Sequence, residues 1–120
     1  MASRIGAFRD EVARRRYMTA YDGALAAWPA LPDELDVETR FGSTHVPATG
    51  PAGGTPIVLL HAVAVASPSW CPNIAALAAD HPVYAVDTIG DVGRSTQTVA
   101  VRTGDDMAQW LDDVLGSPPT

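Results

Sequence analysis

Two segments carry the side chains best suited to chemistry. His61 closes the apolar run Ile57–Leu60 and opens a loop of small residues, A-V-A-V-A-S-P-S-W. Asp87 closes a second apolar run, Val83–Val86, and opens T-I-G-D-V-G-R-S, residues 88–95. An imidazole can act as a base, a carboxyl group as a general acid, and a serine as a nucleophile if a base and oxyanion donors lie within reach. Acyl transfer is the chemistry these residue types allow. One known way to present such a serine is on a strained strand-to-helix turn, written G-x-S-x-G. That pattern occurs nowhere in the 120 residues. None of Ser67, Ser69 and Ser95 has a glycine both two before and two after.

Taken singly, most candidates read as structural. His61 at a strand end reads as a packed, hydrogen-bonded side chain. Asp87 reads as a loop anchor, with a general-acid role as the competing reading. Ser95 is expected to bond its own loop's backbone. Arg94 could meet an anionic substrate, but reads as a solvated loop residue. Cys71 falls in the first turn of a helix, where the dipole lowers a thiol pKa. With no histidine partner evident, it reads as a small buried residue. Gly90 and Gly93 flank Asp91, the wrong charge for a phosphate loop, and no lysine follows. His45 and His81 show no metal-ligand spacing, so neither a metal nor a cofactor is expected.

These loops need elements to hold them. Ile57–Leu60 and Val83–Val86 are continuous apolar runs, the pattern of parallel strands buried on both faces. Between them Ser69–Ala79 reads as a helix capped by Ser69, with Ile74 and Leu77 facing inward. After an irregular stretch through Arg102, Thr103 and Asp106 resemble a capping box. Met107, Trp110, Leu111, Val114 and Leu115 then form one helical stripe that Gly116 stops. Upstream, Ser3–Trp28 has helical periodicity with a phase slip at Arg14–Arg16, predicting a bent helix or two short ones ended by Pro29 and Pro32. Asp10 and Glu11 precede the arginine triplet at helical spacing, so that face is expected to be solvated and self-paired. Val37–Phe41 and His45–Pro47, joined across Gly42-Ser43, read as a short hairpin. Residues 49–55 are a Gly/Pro loop.

Strand, helix, strand, helix is the order of an open α/β sheet, whose ligands bind beyond the carboxyl ends of the strands. The loops after His61 and after Asp87 both lie there.

Composition narrows the classes. A chain of 120 residues, 47% hydrophobic and 18% charged, is globular. Eight basic residues, all arginine, against 14 acidic ones give a net charge of −6, which opposes nucleic-acid binding. One cysteine permits no internal disulfide and suits a reducing, cytoplasmic setting. No apolar run approaches a membrane span.

The segment I-V-L-L-H-A-V-A-V-A-S-P-S-W, residues 57–70, resembles the strand and oxyanion loop of α/β-hydrolases. V-Y-A-V-D-T-I-G-D-V-G-R-S, residues 83–95, resembles their next strand and its loop. The helix Asp105–Leu115 is similar to the one that leads into the nucleophile strand. The N-terminal part is similar to the lead-in of bacterial esterase- and lipase-like members. The resemblance implies the N-terminal half of an α/β-hydrolase sheet over 33–115, a helical lead-in over 1–32 and a disordered tail over 116–120. It assigns His61, Ala62 and Val63 to the oxyanion loop, with the Val63 N–H as first donor and His61 orienting the loop. It places Asp87, Gly90, Gly93, Arg94 and Ser95 on the substrate side. No catalytic residue can be assigned, because the family's serine, acid and histidine come later in the chain. Ala62 departs from the family's glycine.

The implied parent activity is hydrolysis of carboxylic esters or related acyl bonds, with this chain alone inactive. Without the nucleophile strand, Ile57–Leu60 becomes a sheet edge. The partner is then the remaining hydrolase half, or a second copy through that edge. A non-catalytic assembly module that adds a strand from another polypeptide is the alternative of another class. A stand-alone enzyme using Ser95 or Cys71 in a new arrangement is the third.

Overall fold

The computed structural model describes residues 7–63 and 65–116. Helix α1 spans Glu11–Ala26. Asp10 caps it, with extended backbone and a carboxylate that accepts the Ala13 N–H at 2.8 Å. The helix therefore starts at Glu11, and the part of the expectation on residues 3–6 lies outside the described residues. The helix continues through the arginine triplet as one element rather than two. Glu11 faces Arg14 at 3.6 Å and Arg15 at 3.7 Å, the self-paired surface the spacing implies. Tyr21 and Leu25 turn inward, and Trp28 joins them just beyond the helix end.

Strands β1, Asp33–Thr39, and β2, Gly42–Thr49, form a hairpin longer than its apolar pattern suggests. Its turn is Arg40-Phe41 rather than Gly42-Ser43, since Thr39 pairs with Gly42. Acidic residues at 33, 34, 36 and 38 hide the alternation of β1, yet suit a strand with one side open to water. Strand β3 is Ile57–Leu60 and β4 is Val83–Val86. The sheet order is β1-β2-β4-β3, with β3 parallel to β4 and the other neighbours antiparallel. The two-residue strand β5, Thr96–Gln97, pairs with the start of β2 inside the stretch expected to be irregular. Its approach needs Gly42: a Cβ there would lie 2.1 Å from the Thr96 carbonyl oxygen, and its φ is +132°.

Helix α2, Cys71–Ala78, is entered through a 3-10 turn over Ser67–Trp70, and Ser69 does not cap it. Helix α3, Gly104–Gly116, begins with the Thr103 cap expected, though the return bond from Asp106 reaches Arg102 rather than Thr103. Thr103 Oγ1 accepts the Asp106 N–H at 3.0 Å, and Asp106 accepts the Arg102 N–H at 2.8 Å. The tail over 117–120 lies outside the described residues.

Strand β4 divides the interior. Val83 and Ala85 face α1 and α2, packing with Tyr21, Leu25, Trp28 and Ile74. Val86 faces α3 and packs with Val37, Val46, Trp110 and Val114. Trp110 Nε1 also donates to Thr44 Oγ1 at 2.9 Å, satisfying both buried groups. β3 departs from the expectation of burial on both faces. Ile57 and Leu59 pack toward α1, whereas Val58 is 38% and Leu60 46% exposed. The reason is position: β3 ends the sheet, and α3 reaches over β2 and β4 without covering it.

Candidate functional site

The parallel pair β3–β4 brings the two candidate loops side by side at its carboxyl end. His61 bridges them. Thr88 N–H donates to His61 Nε2 at 3.0 Å, which leaves Nδ1 to donate to the Ala62 carbonyl at 2.8 Å. Both ring nitrogens are therefore committed to backbone. Beyond His61, Ala62 and Val63 stand in the open, Val63 at 88% exposure, and the Val65 N–H folds back onto the Ala62 carbonyl at 3.2 Å.

The far end of the same loop is held by Asp87. That side chain is wholly buried. Its Oδ1 accepts the Ser67 N–H at 2.9 Å; its Oδ2 accepts the Tyr21 hydroxyl at 2.6 Å and the Arg94 N–H at 2.9 Å. Three donors satisfy a carboxylate shut off from water, and the geometry is that of an anchor. The Tyr21 phenol is pushed well above its ordinary range by burial and then by the adjacent Asp87 charge, so it stays a donor. Tyr17, one turn earlier, is pushed up to about 12 by burial, with Asp87 and Asp91 adding to it.

The loop over residues 90–95 wraps this carboxylate. At Gly93, φ is +149° and a Cβ would lie 2.8 Å from Asp87 Oδ2, so only glycine admits the approach. Gly90 makes a turn beside the Gln97 side chain. Ser95 Oγ donates to the Asp87 carbonyl at 2.6 Å and accepts the His45 N–H at 2.9 Å, so it is bonded to backbone, its own loop's included. Arg94 is not the solvated residue expected. Its guanidinium lies 5.2 Å above the Tyr21 ring and pairs with Asp22. Cys71 is half-buried rather than buried, with Sγ 3.5 Å from the Ala27 carbonyl.

A second cluster escaped the sequence reading. His45 is 7% exposed, with Nδ1 2.7 Å from Asp36 and Nε2 3.0 Å from Glu34. Its ring meets Tyr21 edge-on at 6.3 Å. The antiparallel register that sets Asp36 opposite His45 was the available signal, and the shorter hairpin expected from the apolar pattern concealed it.

Two concavities flank these residues. A cleft of about 900 Å³ lies between the start of α1 and the 90–97 loop, with His45 and Arg94 among its lining. An apolar groove of about 510 Å³ lies on the α3 face, between Val58, Tyr84, Val86, Val114 and Leu115. The chain thus holds a braced loop that could present backbone donors, while its sequence contains no G-x-S-x-G.

No family model matches the chain. It is 42% identical over 102 residues to carboxylesterase YbfK of Bacillus subtilis (strain 168), a match covering 85% of this chain and 34% of that protein. Among solved structures, carboxylesterase CesB (YbfK) from Bacillus subtilis superimposes with a TM-score of 0.83 at 42% identity, covering 86% of this chain and 36% of the other. The naproxen esterase from the same organism, carboxylesterase NP, gives a TM-score of 0.85 at 38% identity, covering 92% and 38%. The chain spans about a third of the length of the curated relatives it matches.

Proposed function

Because the chain belongs to the esterase-like α/β-hydrolases, we propose that it forms the N-terminal part of a carboxylesterase and supplies the oxyanion side of its active site. The observation that carries this reading is the double bracing of the 61–67 loop, by His61 to Thr88 and by Ser67 to Asp87, at the carboxyl end of β3. In this reading the Val63 N–H is one donor to the oxyanion of the tetrahedral intermediate. His61 and Asp87 hold the loop, and neither exchanges a proton with substrate. The 88–95 loop, with Gly90, Gly93, Arg94 and Ser95, forms the neighbouring wall. The nucleophilic serine, its base and the second donor come from the remaining part of the esterase. That part also pairs with the open side of β3 and covers Val58 and Leu60. The substrate is a carboxylic ester, and the chain alone hydrolyses none.

The sustained identity to carboxylesterases favours this reading over a separate assembly module. A cytoplasmic setting is part of the proposal, supported by the single cysteine. Among the described residues no helix is long and apolar enough to cross a membrane.

The test replaces the matching third of carboxylesterase YbfK with this chain and follows p-nitrophenyl ester hydrolysis. The chimera is expected to turn over ester while the 120-residue chain is silent. A folded but inactive chimera contradicts the proposal.

A further inference from the structure

We infer that Tyr21, on a helix outside the sheet, is a positioning residue for the 61–67 loop and acts through the Asp87 carboxylate. The inference rests on the reading of that loop as an esterase oxyanion loop. Tyr21 and Asp87 are 66 residues apart and joined at 2.6 Å, and the same carboxylate holds the Ser67 N–H through its other oxygen.

The geometry gives the phenol a task no neighbour can take over. With the hydroxyl removed, Oδ2 keeps only the Arg94 N–H, and a wholly buried carboxylate is left short of a donor. An under-satisfied buried anion reorients toward any donor it can find. Rotation about its Cβ–Cγ bond moves Oδ1 off the Ser67 amide. Oxyanion donors work only when held to within fractions of an ångström, so the loop's drift is felt in the chemical step.

Tyr21 itself is fixed from three sides. It is 3% exposed, the Arg94 guanidinium lies over its ring at 5.2 Å, and His45 meets it edge-on at 6.3 Å. His45 is in turn gripped by Glu34 and Asp36 of β1. A continuous line of contacts therefore runs from the hairpin through His45, Tyr21 and Asp87 to Ser67. The other end of the loop, at His61, is tied to Thr88 instead. Losing the phenol should loosen one end of the loop and spare the other.

The test is Tyr21→Phe, which keeps the ring and removes only the hydroxyl, with Tyr17→Phe as a control on the same helix. Amide hydrogen exchange is measured in this chain and in the YbfK chimera. Y21F is expected to speed exchange at Ser67 and Arg94 at least tenfold while the Tyr84 and Ala85 amides of β4 stay within twofold, and Y17F should leave all four alone. In the active chimera, Y21F should lower kcat about tenfold with KM within twofold, as expected for lost transition-state positioning. Asp87→Asn combined with Y21F should be no worse than the more damaging single change, because both act through one contact. Unchanged exchange at Ser67, or acceleration spread evenly over the sheet, overturns the inference. So does an unchanged kcat. If the unsubstituted chimera hydrolyses nothing, the esterase proposal fails, and the exchange pattern alone then decides whether Tyr21 positions the loop.

Discussion

The two edges of this sheet differ, and so do its two faces. β1, at one edge, carries Asp33, Glu34, Asp36 and Glu38 and, among the described residues, pairs only with β2. Charges of that density discourage a further strand. β3, at the other edge, reads I-V-L-L, without a charge to guard its free N–H and C=O groups. The faces divide likewise. Toward α1 and α2 the core is closed around Ile74, Leu25 and Val83. Toward α3 it is closed only as far as Val86; beyond it Val58 and Leu115 border an open apolar groove, and Leu60 on the same strand is exposed. A protein finishes the surfaces it keeps. The unfinished edge and the unfinished face coincide at β3, which is where the proposed remainder of the esterase attaches.

The largest effect should separate the two faces. Ile74→Ala, at 1% exposure, is expected to cost about 3 kcal/mol by denaturant unfolding. Val58→Ala should cost well under about 1 kcal/mol in this chain, since a half-open side chain gains little from burial. In the YbfK chimera the V58A cost should rise toward that of a core position, and equal costs in the two settings break the comparison.

A smaller effect tests the edges. Leu60→Lys places a charge beside the free side of β3 and should weaken self-association of the isolated chain about tenfold by sedimentation. Glu38→Lys on β1 should leave association unchanged. If both act alike, the edges are not distinguished as argued.

The smallest effect is in the pH dependence, and it too assigns the faces. On the α1 side, Tyr17 is raised from 10.0 to about 12. Its contribution is whole below pH 10 and is lost as pH rises toward 12, so Tyr17→Phe should flatten the alkaline limb. On the α3 side, the Arg40 guanidinium, at 2.8 Å, holds the Asp113 carboxyl below its ordinary value. That contribution is present above the usual aspartate range and is lost as pH falls below it, through the depressed value, so Arg40→Ala should flatten the acid limb. The surface pair should also fade in molar salt, more than the half-buried Tyr17 phenol does.

Local patterns in the sequence carried the parts of this fold that local physics decides. The stripe from Met107 to Val114 and the Thr103–Asp106 capping pair lie within one helix. The two apolar runs mark strands wherever they pack. α1 begins only at Glu11 although Phe8 continues the apolar period, because the cap at Asp10 sets its first turn. β1 was shortened because its acidic residues face water, and β5 is too brief for any period to register. At the site, the two loops were recognisable from His61 and Asp87 with their neighbours. The partners of these residues were not, because Tyr21–Asp87 and Arg94–Asp22 join positions 66 and 72 residues apart. Only the packing of α1 on the sheet brings them together.

The central claim is that β3's edge and open face are completed by a further part of an esterase. Parallel guanidinium unfolding of the 120-residue chain and the YbfK chimera tests it most directly. The account predicts a shallow, early transition for the chain and a steep, late one for the chimera, with β3 amides protected from exchange only in the chimera. A monomeric chain that unfolds in one steep transition at the chimera's midpoint, with β3 amides already protected, would contradict it.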